Sequence, residues 1–158
     1  MAASCEQKRS NTLPENYTAD DLIEANKRKI GQETTVISDF VERNGWDMKK
    51  TATGIRYDIY AHGTGDSARA DMVAAVSYRA FLLDSTYVAG TPKGEVQEFR
   101  IGEANVVAGL HEAVTLLHVG DSARIVIPSY LAFGLTGNQI NIPPNAALFY
   151  DITLVDLY

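Results

Sequence analysis

A single cysteine, Cys5, excludes an intramolecular disulfide and a cysteine-built metal cluster. Basic residues are also short: 14 Lys and Arg stand against 20 Asp and Glu, the net charge is −6, and no basic block exceeds Lys27-Arg28-Lys29. That balance offers little to a phosphate backbone and argues against a nucleic-acid partner. No run approaches the roughly 18 apolar residues of a membrane-crossing helix. Of the three histidines, His62, His111 and His118, none shows metal-ligand spacing. Ser122 and Ser129 lie in no nucleophile elbow. The Gly63-Thr64-Gly65 turn has no helix after it to make a phosphate loop. The residues therefore call for no metal and no cofactor.

What is present is an ordinary globular composition, 46% hydrophobic and 22% charged over 158 residues. One domain of that size buries a substantial core without staples. Ala2-Ala3-Ser4-Cys5 looks like the end of a bacterial lipoprotein signal, in which a Cys after small residues is lipidated. The apolar segment that should precede it is missing, so a trimmed chain and an incidental Cys remain as alternatives. Residues 6–16 are polar and aperiodic, as suits a tether, and 1–17 read as a tail. Thr18 followed by Asp20 and Asp21 makes a helix start. Leu22, Ile23, Ile30, Val36, Ile37, Phe40 and Val41 recur at helical spacing. One or two helices over 19–44 follow, with Gly31 as the break point and Gly45 as the C-cap. Trp46 and Met48 supply apolar contacts. The segment 18–50 is thus a helical extension that packs on its own domain, a neighbouring domain or another subunit.

From Thr53 the period changes to two. Ile55, Tyr57 and Ile59 mark one half-buried strand, and Met72, Ala74, Val76, Tyr78 and Ala80 mark a second. Thr86 to Ala89 is a short extended piece and Val96 to Ile101 a third strand. Val106, Val107, Leu110, Ala113, Val114 and Leu117 then share a helix face, with Gly120 as its C-cap. Ala123, Ile125 and Ile127 alternate with Arg124 and Val126 in a further strand, and Leu148, Tyr150, Ile152 and Leu154 mark the last. The connection from Pro128 to Pro144 is long enough to be functional. The pattern predicts an α+β domain over 51–158: a curled antiparallel sheet of five to six strands over one short helix.

The run Phe99-x-Ile101-Gly102, Val106-Val107-x-Gly109-Leu110, Gly120-Asp121, Ile127-Pro128, Ala132-Phe133-Gly134, Ile142-Pro143-Pro144-Asn145-Ala146 and Leu148-x-Tyr150-Asp151 resembles the FKBP-type peptidyl-prolyl cis-trans isomerases. Val76-Ser77-Tyr78 and Leu82-Leu83-Asp84 extend the resemblance toward Gly54. Gly45-Trp46-x-Met48 leading into Thr53-Gly54-Ile55-Arg56-Tyr57 is similar to lipid-anchored members of that family from the Bacteroidota.

The resemblance implies a folding catalyst of exported proteins in the cell envelope or periplasm. It also implies a lipid on Cys5 as the only membrane contact and proline-containing client segments as partners. Pairing of the N-terminal helices as a homodimer is a further expectation. It implies that Val107 offers its backbone N–H to the substrate carbonyl, with Tyr78 and Phe133 beside it. The pocket it implies is lined by Tyr78, Val88, Ala89, Gln97, Val106, Val107, Leu110, Phe133, Ile142 and Tyr150. Several positions depart from the family's usual residues. Leu110 replaces a floor Trp, Phe133 a Tyr, Tyr150 a Phe and Gln97 a wall aromatic. Val88-Ala89-Gly90-Thr91 stands for Phe-Asp-Ser-Ser, and a one-residue shift would put Tyr87 at the Phe position. Two functions follow: an isomerase with reduced activity, or a catalytically degenerate peptide-binding or envelope-assembly module.

Overall fold

The computed structural model describes residues 17–103 and 105–158. It comprises two compact units, one ending at Gln32 and one spanning Glu33–Tyr158. Cys5 and the tail lie outside the described residues. Helix α1 (Ala19–Arg43) is a single helix through Gly31. A mid-helix glycine costs about 1 kcal/mol relative to Ala, which a helix of 25 residues absorbs.

In the first unit, the helix start is a reciprocal box. Thr18 Oγ1 accepts the Asp21 N–H at 3.2 Å, and Asp21 Oδ2 accepts the Thr18 N–H at 2.9 Å and its hydroxyl at 2.8 Å. Those bonds hold the Asp21 carboxyl below its ordinary range. Leu22 and Ile23 are each 50% exposed.

In the second unit, the rest of α1 ends where the spacing predicts. Gly45 adopts φ +66, its N–H reaches the Glu42 carbonyl at 2.9 Å, and the Trp46 N–H reaches the Val41 carbonyl at 3.2 Å. Seven antiparallel strands follow among the described residues: β1 (Lys49–Lys50), β2 (Arg56–Ala61), β3 (Val73–Leu82), β4 (Tyr87–Gly90), β5 (Gln97–Arg100), β6 (Ser122–Ile127) and β7 (Leu148–Leu157). The sheet order is β1-β2-β6-β7-β3-β4, and β5 pairs with the start of β3. The strand beyond the expected five to six is the two-residue β1, too short to carry a period. Helix α2 is Ala108–Val114, shorter than the apolar pattern through Leu117 suggested. Thr115, not Gly120, is its C-cap. Gly120 (φ +94) instead turns the chain against Gly63, where a Cβ would lie 2.1 Å from the Val119 carbonyl oxygen.

Period-two alternation explains both faces of the sheet. Ala123, Ile125 and Ile127 of β6, with Leu148, Tyr150, Ile152 and Leu154 of β7, pack with Leu110, Ala113, Val114 and Leu117 in the main core. The opposite face carries Val126 and Phe149, covered by Ile37, Phe40 and Val41 of α1 and by Trp46. Trp46 stacks on Phe149 with ring centroids 5.1 Å apart, and Phe40 meets the Trp46 edge at 5.6 Å. The half of α1 beyond Gln32 is therefore built into the sheet unit. Arg56 strengthens the join by donating to Ser38 Oγ at 3.0 Å.

Candidate active site

The site is assembled from four elements. Strand β3 contributes Tyr78, whose N–H donates to Thr91 Oγ1 at 3.1 Å and whose carbonyl accepts the Thr91 N–H at 3.0 Å. Those bonds tie β3 to the chain leaving β4. Strand β4 contributes Val88 and Ala89, both half-buried against the main core. The pairings Ala80↔Ala89 and Phe81↔Tyr87 skip Val88, which makes it the extra residue of a β-bulge. Tyr87 is 56% exposed and meets the Phe81 ring edge-on at 5.8 Å. The bulge leaves Val88 half-buried against the main core and Tyr87 largely exposed.

The third element is the entrance of α2. Val107 is its N-cap with φ −61 and ψ 146, and its carbonyl accepts the Leu110 N–H at 3.0 Å. The Val107 N–H has no hydrogen-bond partner among the described residues. Val106 and Val107 pack on the core from the outside, whereas Leu110 is 3% exposed and lies within it. Gly102, at the start of the segment leading to Val107, donates its N–H to His111 Nδ1 at 3.0 Å. Nδ1 is therefore the unprotonated nitrogen of that imidazole.

The fourth element is the long loop, organised by two asparagines. Asn138 Oδ1 accepts the N–H groups of Ile140 at 3.0 Å, Asn141 at 3.0 Å and Ile142 at 2.7 Å. Asn141 Nδ2 donates to the Val88 carbonyl at 2.7 Å, tying the loop to the β4 bulge. Ile142 is buried in the main core as a result. Asn138 and Asn141 carried no sequence expectation. The legible signal was an Asn within a glycine-punctuated loop, the residue type that bonds to backbone a few positions on.

Tyr78, Val88, Ala89, Val106, Val107, Leu110, Ile142 and Tyr150 thus share one packed cluster. Phe133 and Gln97 lie outside it. Phe133 is 36% exposed, and Gly134 after it adopts φ +60. Gln97 is exposed because β5 has only β3 as a neighbour and presents its outer edge to solvent. The Tyr78 and Tyr150 rings are 5.6 Å apart and tilted by 38°. Neither phenol makes a hydrogen bond to another described residue. Burial pushes both phenols above their ordinary pKa, Tyr150 strongly, so both stay neutral. The gathered side chains hold no acid–base pair. Among the described residues no group of three or more His, Cys, Asp or Glu could hold a metal ion, and no helix is long and apolar enough to cross a membrane.

The described residues thus form an antiparallel sheet packed on a short helix, with an aromatic and aliphatic cluster at the helix entrance. The family described as FKBP-type peptidyl-prolyl cis-trans isomerase matches residues 65–155. The chain belongs to that family. FkpA of Aeromonas hydrophila is 33% identical over 109 residues, which cover 68% of this chain and 40% of that protein. The 22 kDa isomerase of Escherichia coli is 32% identical over 70% of this chain and 53% of its own length. The chain thus spans about half or less of these curated relatives. The crystal structure of a peptidyl-prolyl isomerase from Pseudomonas syringae superposes with a TM-score of 0.71 at 27% identity, covering 83% of this chain and 94% of that one. Escherichia coli FkpA gives 0.70 at 25% identity, over 88% and 65%.

Proposed function

We propose that the domain over 51–158 is a peptidyl-prolyl cis-trans isomerase, slower than the family's norm, acting on proline-containing segments of exported client proteins. The observation that supports this reading is the Val107 N–H at the entrance of α2, which has no hydrogen-bond partner among the described residues, in one cluster with the buried Leu110 and the Tyr78–Tyr150 ring pair. Rotation about a prolyl peptide bond faces a barrier of about 18–20 kcal/mol, because the imide loses its resonance as it twists. A twisted imide is less polar than a planar one, so an apolar wall of Leu110, Ile142 and Tyr150 favours it over the ground state. A fixed donor at Val107 selects the matching carbonyl geometry. Each tenfold in rate requires about 1.4 kcal/mol, which burial of a proline ring and one hydrogen bond can supply.

Reduced activity follows from the opposite wall. Val88 and Ala89 supply neither an aromatic ring nor a carboxylate, and Gln97 is exposed. The deciding experiment is a proline-peptide isomerisation assay on the protein and on its Ala89→Asp and Tyr78→Ala variants. The reading expects catalysis above background, a gain with Ala89→Asp and a loss with Tyr78→Ala. No rate above background with the fold intact would instead make the domain a peptide-binding module.

The remaining assignments belong to the same proposal. Residues 18–50 are a helical extension of this domain and 1–17 its tether, placing the protein in the cell envelope or periplasm with Cys5 as the lipid attachment point. Ala2-Ala3-Ser4-Cys5 supports that placement, and an unmodified Cys5 in membrane-extracted protein would end it. Exposed Leu22 and Ile23 on α1 support pairing of two chains through their N-terminal helices. A monomeric mass in solution at micromolar concentration would rule the pairing out.

A further inference from the structure

The inner-facing positions of α1 in the sheet unit follow helical spacing back from Val41 and Phe40 to Ile37, and one turn earlier to Glu33. That position calls for an apolar residue and carries a carboxylate instead. Its partner is Ser129, the first residue of a 3-10 turn (Ser129–Leu131), which is 5% exposed. Glu33 Oε1 accepts the Ser129 N–H, and Oε2 accepts the Ser129 hydroxyl at 2.8 Å. Pro128, the residue capping this turn, supplies no side-chain bond of its own. Both donors of Ser129 are thus satisfied from α1, 96 residues away in sequence.

Ser129 in turn holds the segment that carries Phe133. Its carbonyl accepts the N–H of Ala132 at 3.0 Å and of Gly134 at 2.9 Å, one on each side of Phe133. The Gly134 carbonyl accepts the Asn145 N–H at 2.8 Å, which closes the far end of the long loop. Phe133 itself is 36% exposed and lies outside the main core, so packing alone does not fix it. We infer that Glu33 is a positioning residue for the isomerase site: its two-pronged contact with Ser129 sets the segment 132–134 and thereby holds Phe133 over the substrate. The inference rests on the isomerase reading for its consequence and on the Glu33–Ser129 geometry for its mechanism. It gives α1 a function in the domain beyond covering the outer face of the sheet.

Without the carboxylate, the segment samples conformations in which Phe133 is withdrawn. Apparent substrate affinity falls by the fraction of time the segment is competent, whereas the bound, competent complex turns over as before. Glu33→Ala should therefore raise KM about tenfold with kcat within about twofold, if roughly a tenth of the molecules stay competent. Glu33→Gln keeps one acceptor for the Ser129 N–H and should fall between Glu33→Ala and the parent protein. Amide hydrogen exchange on the same full-length variants separates positioning from general support. In Glu33→Ala, exchange at Ala132 and Gly134 should accelerate at least tenfold, while that at Ala80 and Ile152 in the sheet stays unchanged. An unchanged KM, or exchange that rises equally in the sheet, would overturn the inference. If the parent protein shows no isomerisation at all, the isomerase reading has failed, and the exchange pattern alone then decides whether Glu33 holds this segment.

Discussion

Removing one oxygen atom at Tyr150 should make the domain more stable and less active. Tyr150 is 6% exposed, on the face of β7 that packs against α2. Its hydroxyl bonds to no described residue, and burial raises its pKa. A buried hydroxyl without a protein partner costs about 1–3 kcal/mol by mutational measures. Here the low end applies, because among the described residues the polar side-chain atom both fully covered and unpaired is His111 Nε2, not the Tyr150 oxygen. Tyr150→Phe should therefore stabilise by about 1 kcal/mol, or about 3–4 °C in Tm for a domain of this size. On the isomerase reading, this hydroxyl, on the ring 5.6 Å from that of Tyr78, also donates to the bound peptide. One lost hydrogen bond of about 1 kcal/mol lowers kcat/KM roughly fivefold. Calorimetry and the isomerisation assay on one sample test both halves. A fall in Tm of several degrees would show that the hydroxyl has a structural partner. An unchanged kcat/KM would show that it does not touch substrate.

Two further outcomes follow from the scaffold. Asp121 is 2% exposed and accepts the N–H of Gly63 at 2.7 Å and of His118 at 2.8 Å. Burial raises its pKa, but those two donors and the nearby His118 outweigh burial and leave the carboxyl below its ordinary value. A depressed folded pKa gives stability that is present above the unfolded value of about 3.9 and is lost as pH falls through the folded one. Asp121→Asn should therefore cost about 2–3 kcal/mol at neutral pH, because an NH2 faces an N–H donor. It should also flatten the loss of stability below about pH 4, as read by urea denaturation across pH. Gly109→Ala should destabilise by about 1–3 kcal/mol despite the better helix propensity of Ala. The new Cβ would lie 2.3 Å from Ile127 Cγ2 and 3.1 Å from the Leu131 carbonyl oxygen. An unchanged denaturation midpoint would mean that α2 shifts freely, which its packing against buried Ile127 opposes.

The sequence by itself determined what depends on neighbours a few positions apart. Alternation along Ala123-Ile125-Ile127 and Leu148-Tyr150-Ile152-Leu154 named the inner face of two adjacent strands, because side chains change sides at every residue. Thr18 and Gly45 marked the two ends of α1 through local hydrogen bonding and a positive φ. The closely spaced run from Phe99 onward carried the family. Only the tertiary structure decided what depends on distant partners. A bulge in the β3–β4 pairing put Val88 against the core and left Tyr87 largely exposed, and no local pattern distinguishes a bulge from its neighbouring register. Val126 reads as an outward-facing residue of β6 and is fully buried, because α1 returns to cover that face. The carboxylate of Glu33 looks like one more solvated charge on a helix until Ser129, 96 residues later, is brought against it. Contacts of that separation are set by how sheet and helices pack, which no stretch of sequence encodes alone.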